Sequence, residues 1–197
     1  MKLTRRSTLR DAIVVVARAL DKAAIRAVLV GGACATVYSG GVHQSEDIDL
    51  ILQSAPSQED LDNALASVGF VRRHAQYFHR DTDFFVEFPR PPLSIGEDWR
   101  IVPVQLTVGR SMLPALSATD SCRDRLAQFY HWGDRQSLEV AIAIALRHRV
   151  NMTLIRKWST GEGAVPKFSE FRAELARARA LRRGGKTRLQ KDRRRRA

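Results

Sequence analysis

Apolar residues recur at Leu9, Ile13, Val16, Leu20 and Ala24. That spacing of three and four predicts an amphipathic helix over residues 8–24, with Ser7 as its N-cap. Residues 26–30 read as a first strand, whose apolar part from Ala27 to Val30 ends in Gly31-Gly32. A helix is expected from the glycines through about Tyr38, closed by Gly40-Gly41. Asp47-Ile-Asp-Leu-Ile-Leu52 predicts the second strand. Pro56-Ser57 opens a helix carrying Leu61, Leu65 and Val68, which stops at Gly69. Phe70-Val71 and Tyr77-Phe78 lie in short strand-like runs. In Asp83-Phe-Phe-Val-Glu-Phe88, alternation places Phe85 and Glu87 on one side and Phe84, Val86 and Phe88 on the other. Residues 101–108 predict a further strand, broken near Pro103. From Thr119 the pattern is helical. Asp120 or Ser121 caps a helix through Tyr130, and Gly133 breaks it. Leu138, Ile142, Ala145 and Leu146 carry a helix toward Val150. Phe168, Phe171, Leu175 and Ala178 predict a last helix that fades into an Arg-rich tail, with order ending near Gly184-Gly185. No internal repeat is present.

The expected fold is therefore α/β (α+β): a small mixed sheet with flanking helices, then a helical C-terminal extension. Its expected divisions are a core over 1–110, a helical region over 111–183, and a basic, disordered tail over 184–197.

The candidate chemistry sits where the first two strands meet. Residues i and i+2 of a strand point to one side, so Asp47 and Asp49 present two carboxylates together while Ile48 faces the core. Paired carboxylates repel unless a cation lies between them. Mg²⁺ suits such a pair, with substrate phosphates completing its shell. Gly31-Gly32 supplies the complement, because backbone N–H groups without a neighbouring Cβ can approach a phosphate at the start of the next helix.

This arrangement of Gly31, Gly32, Asp47 and Asp49 resembles the nucleotidyltransferase superfamily with the polymerase-β-type core. The form Ser45-Glu-Asp-Ile-Asp-Leu50 looks most like its AbiEii-type branch, which holds minimal nucleotidyltransferase toxins of toxin–antitoxin and phage-defence systems. The resemblance implies a nucleotidyltransferase that moves NMP from an NTP to an acceptor hydroxyl, with one or two Mg²⁺ ions on Asp47, Asp49 and a third carboxylate from a later strand. Glu87 lies where that residue is expected, and a lone Glu among aromatics needs a partner. Asp83, at the start of the strand, is its rival. Ser45 and His43, in the loop before Asp47, are candidate nucleotide contacts. In the segment Cys122–Leu138, the resemblance implies a phosphate-binding basic residue, for which Arg123 or Arg125 would stand, and an acting carboxylate, for which Asp134 stands. Asp134 is weighed equally as part of a buried ion-pair network, and Asp124 is read as structural. Arg holds phosphate bidentately but is no general base at neutral pH.

Charge narrows the choice of acceptor. The 197-residue chain carries a net +12. Twelve basic and two acidic residues lie between Arg172 and Ala197, so the rest is nearly neutral. A cationic arm gives salt-dependent affinity for nucleic acid, which favours RNA, including a tRNA end, over a partner protein or a small molecule. A cognate toxin or antitoxin protein is a further expected partner. From a different class, the fold without turnover would serve as a nucleic-acid-binding or antitoxin-like module. The two cysteines, Cys34 and Cys122, lie in apolar segments and suit a reducing cytoplasm. No run reaches the ~18 apolar residues of a membrane span.

Overall fold

The structure is a computed structural model that describes the backbone of residues 2–195 and the side chains of residues 2–183. The expected tail over 184–197 lies outside the described side chains. The chain runs α1 (Leu9–Lys22), β1 (Ala27–Leu29), α2 (Gly31–Ser39), β2 (Asp47–Leu52), α3 (Gln58–Ala66), β3 (Phe70–Arg73), β4 (Gln76–His79), β5 (Phe85–Glu87), β6 (Val104–Val108), β7 (Ser111–Ala115), α4 (Ala118–Trp132), α5 (Arg135–Arg147), α6 (Met152–Gly161) and α7 (Val165–Arg195). The strands form a seven-stranded mixed sheet in the order β3-β4-β5-β2-β1-β7-β6. β1 is antiparallel to β2, whereas β2–β5 and β1–β7 are parallel. The α/β class and the helical C-terminal part are as the sequence predicts.

Several boundaries move for identifiable reasons. α1 is capped by Thr8, not Ser7, because Thr8 and Asp11 close a reciprocal capping box. It ends at Lys22, and Ala24 is exposed with a positive φ of 56°, so it does not join the apolar face. α4 is capped by Ser117, whose hydroxyl accepts from the Asp120 N–H; Asp120 and Ser121 lie inside the helix. β7 was not expected, since Pro114 argues against a strand. It is tolerated because β1 meets β7 only at Leu29↔Ala115, so Pro114 has no partner on that side. The division after residue 110 accordingly falls inside the β6–β7 hairpin, and helix begins at Ala118.

One continuous apolar core runs from Leu3 and α1 through the sheet to Phe171 and Leu175 of α7. α2 packs on β2, and α2, α4 and α5 pack on one another. This sets the end of β1, the start of β2 and the α4–α5 corner around one cleft.

Candidate active site

The cleft is built from the antiparallel meeting of β1 and β2. Leu29 pairs with Leu50, so the chain leaving β1 passes the start of β2. The Val30 N–H donates to the Asp49 carbonyl at 3.0 Å, and Gly31 follows at once. Gly31 has φ +62°, and a Cβ there would overlap the Asp49 carboxylate. A Cβ on Gly32 would overlap the Ser45 hydroxyl. Both glycines are thus required by close approach of the acidic strand. α2 begins here with Val30 as an N-cap that offers no side-chain hydrogen bond. Its first-turn N–H groups and the positive end of its dipole point into the cleft without a side-chain cap.

Thr36 ties the following loop to α2. Its hydroxyl oxygen lies 2.9 Å from the carbonyls of both Gly32 and His43, which share its one proton, and the Ser45 N–H donates to it at 3.3 Å. The loop is thereby held so that the Ser45 hydroxyl donates to Asp47 Oδ1. His43 lies on the rim, its Nε2 3.0 Å from Glu139 Oε2.

β5 lies parallel to β2 with Asp47 opposite Phe85 and Asp49 opposite Glu87. Ile48 and Val86, on the other face, are fully buried. Asp47, Asp49 and Glu87 therefore share one face, as alternation predicts. Asp83 is exposed and lines a separate hollow with Arg5, Arg80 and Asp81. Of the two rivals, Glu87 and not Asp83 lies on the face of Asp47 and Asp49. Gln76, opposite Glu87 on β4, donates to Glu87 Oε1.

Burial, then the charges of Asp47, Glu87 and Asp124, push the Asp49 carboxyl up to about 7. A carboxyl so placed is short of a cation, and the all-oxygen donor set suits a hard ion such as Mg²⁺. Among the described residues, no group of three or more His, Cys, Asp or Glu side chains is already drawn together as a metal site. The fit therefore rests on the repulsion felt by Asp49.

The opposite wall comes from the α4–α5 corner. Arg125 joins Gly32, His43, Ser45, Asp47, Asp49 and Asp134 around a cavity of about 380 Å³. Its Nη2 lies 2.7 Å from Asp124 Oδ2. Burial opposes its charge, but Asp124, Asp49 and Asp47 outweigh it and hold the guanidinium firmly protonated. Arg123 is not brought to the cleft. It is 1% exposed, bonded to Asp98 at 2.7 Å and Asp120 at 2.9 Å, with Trp158 5.1 Å away beneath its guanidinium. Of the two arginines offered for phosphate, Arg125 lines the cleft and Arg123 does not, because helix positions two apart point in different directions.

Asp134 lines the cleft, but both its oxygens are engaged as the N-cap of α5. Oδ1 accepts from the Gln136 N–H at 3.0 Å and Oδ2 from the Ser137 hydroxyl at 2.6 Å. The Ser137 hydroxyl leads the bonds that hold its carboxyl below the usual range. Asp124, read from sequence as structural, pairs with Arg125 and is also among the charges acting on Asp49. Gln128 also lines the cavity and was missed; its i+3 spacing from Arg125 was the available signal. Cys34 and Cys122 are buried free thiols, each pushed up to about 12 chiefly by burial. Among the described residues, no helix is long and apolar enough to cross a membrane.

No protein-family model and no curated protein matches the chain. Among solved structures, it resembles an antigenic nucleotidyltransferase-like protein from Paracoccidioides brasiliensis, with 19% identity and a TM-score of 0.52 over 72% of this chain and 76% of that one. Two structures of the antibiotic-resistance factor ANT(2'')-Ia, each 13% identical with a TM-score of 0.49, are more distant. One, in solution, covers 89% of this chain and 97% of that one. The other, in complex with adenylyl-2"-tobramycin, covers 85% and 99%. The first likeness shows that the seven-stranded sheet and its helices have a nucleotidyltransferase-like fold.

Proposed function

We propose that this chain is an enzyme that transfers NMP from an NTP to an acceptor hydroxyl. The observation that carries the reading is one cleft lined by Asp47, Asp49, Gly32 at the uncapped start of α2 and Arg125, with Glu87 beside Asp49 on the adjoining strand. Carboxylates alone describe many sites. Carboxylates facing phosphate-binding N–H groups and a half-buried guanidinium describe a place for a polyphosphate and its cation.

The NTP phosphates lie at Gly31-Gly32 and Arg125, and Asp124 keeps the Arg125 fork aimed across the cleft. Asp47, Asp49 and Glu87 would hold Mg²⁺, which when bound neutralises phosphate charge and acidifies the acceptor hydroxyl. Ser45 fixes the Asp47 rotamer, and Gln76 fixes Glu87. The acceptor oxygen attacks the α-phosphorus, the bond from that phosphorus to the oxygen bridging to the β-phosphorus breaks, and pyrophosphate leaves with the bonding pair. The acceptor proton passes to Glu87 Oε2, the oxygen that Gln76 leaves open. Arg125 meets the charge that accumulates on the leaving group.

RNA is the proposed acceptor, supported by the net charge of +12. A toxin–antitoxin setting with a cognate partner is supported by the resemblance of the segment Ser45–Leu50. Incubation with each α-labelled NTP, Mg²⁺ and either total RNA, cell-lysate protein or small hydroxylated compounds tests the reading. Label on RNA, lost in Asp49→Asn, is expected. Label on protein or a small molecule would move the acceptor, and no label with any acceptor would sink the enzymatic reading in favour of a non-catalytic binding module.

A further inference from the structure

A second concave surface lies away from the acidic cleft, between α6 and α7. Its volume is about 800 Å³. Arg156 of α6 and Arg172, Arg179 and Arg183 of α7 line it, and among the described residues no acidic side chain does. Phe168 and Leu175, 5% and 2% exposed, form its floor. The two acidic residues in the described part of α7 are engaged elsewhere: Glu170 pairs with Arg135 and Glu174 with Arg177. Arg179 donates to the Ala145 carbonyl, and Arg182, beside the groove, to that of Leu146. Those partners anchor the side chains without cancelling their charge. They also stand at the C-terminus of α5, where cations are favoured.

We propose that this groove docks the backbone of an RNA acceptor, an inference that rests on the RNA reading above. Arg172, Arg179 and Arg183 recur on one side of α7 at intervals of seven and four residues, spanning about 16 Å at the α-helical rise. Arg156 faces them from α6, so the cations flank a trough rather than dot a convex surface. The aromatic ring nearest the groove is buried in its floor and offers no face for base stacking. Recognition is therefore by phosphates and is tolerant of sequence. α5 relates the groove to the cleft. Its Ser137 lines the cleft and its Leu146 carbonyl meets α7, about 14 Å further along the helix. A strand held in the groove reaches the cleft with a few nucleotides, whereas a small hydroxylated compound cannot occupy both.

The test uses the full chain, without NTP or Mg²⁺, and a fluorescein-labelled single-stranded RNA of mixed sequence followed by anisotropy. Arg156→Ala/Arg172→Ala removes two exposed cations. RNA affinity is expected to fall about tenfold near physiological salt, and the slope of log affinity against log salt to drop by about 1.4. Arg90→Ala/Arg110→Ala, an equal charge change at exposed sites outside the groove, should leave both quantities near wild type. Unchanged melting temperatures check that both variants fold. Wild type that fails to bind RNA, a groove variant that binds like wild type, or a control that loses as much overturns the proposal. So does polyglutamate that competes as well as RNA at equal charge, since it would assign the groove to an acidic protein. Failure of NMP transfer alone shows in the labelled-NTP experiment and leaves the binding result standing.

Discussion

Asp49 carries the conflict on which the site depends. Its carboxyl is pushed well above the usual carboxylate range, up to about 7, first by burial and then by Asp47, Glu87 and Asp124. A group with a higher pKa folded than unfolded binds more protons when folded, so its contribution to stability is full below the unfolded pKa and is lost as pH rises toward about 7. In metal-free buffer, Asp49→Asn should therefore stabilise the fold at pH 8, by a few kcal/mol at most, and so raise the thermal midpoint there while changing it little at pH 4. Midpoints across that range check the sign; a variant that is less stable at pH 8 would refute it. Adding Mg²⁺ should raise the wild-type midpoint and narrow the gap. The same variant should abolish transfer. On β5, Glu87→Gln should lose at least a hundredfold in turnover, the usual scale for a positioned acid or base, while Asp83→Asn keeps it. Equal losses in the two would remove Glu87 from the site. Gly31→Ala places a Cβ against Asp49 at a positive φ, so it should lose both stability and activity.

At the scale of elements, the α4–α5 corner divides its charged residues between two tasks. Arg123 is buried between Asp98 and Asp120 over Trp158 and fastens α4 to the segment before β6 and to α6. Arg123→Ala leaves those carboxylates without their cation and should cost about 3–5 kcal/mol of unfolding free energy. Arg125→Ala, by contrast, should keep the fold while raising the KM for NTP and lowering kcat. Denaturant unfolding and steady-state kinetics on the two variants separate these tasks, and reversed results would exchange the two arginines. Asp134→Ala should cost about 1 kcal/mol as a lost cap, and Asp134→Asn should restore it along with most activity. A stable Asp134→Asn that is inactive would give that carboxylate a chemical role. The sequence could not make these divisions. Two arginines at i and i+2 look alike in a string, and which one meets the acidic strand depends on how α4 packs against α2 and β2. The Asp47–Asp49–Glu87 face was legible because strand alternation is local and strict. β7 was not, because Pro114 is acceptable only beside a neighbour that stops at one pair, which is a property of the sheet. The influence of Asp124 on Asp49 was not legible for the same kind of reason: it crosses from helix to strand.

For the whole molecule, the question is how a nearly neutral body and a strongly basic C-terminal segment share the work of holding an acceptor. Residues 184–197 hold seven basic residues and one acidic one, and Leu189 is their one large apolar residue. A segment of that composition has almost nothing to bury, so deleting it should leave the thermal midpoint unchanged. It should, however, weaken RNA binding and flatten the salt dependence, because fewer counterions are released. The groove cations stay in place in the deletion, and the tail stays in place in Arg156→Ala/Arg172→Ala. If groove and tail hold successive stretches of one strand, the combined variant should lose the sum of the two free energies and of the two slope changes, within about 0.5 kcal/mol. A smaller loss in the combined variant would mean that both compete for the same phosphates. Turnover on a saturating RNA should survive either change, since neither removes a residue of the acidic cleft. An RNA affinity indifferent to the deletion would confine binding to the described body, and would leave the basic segment a role in solubility alone.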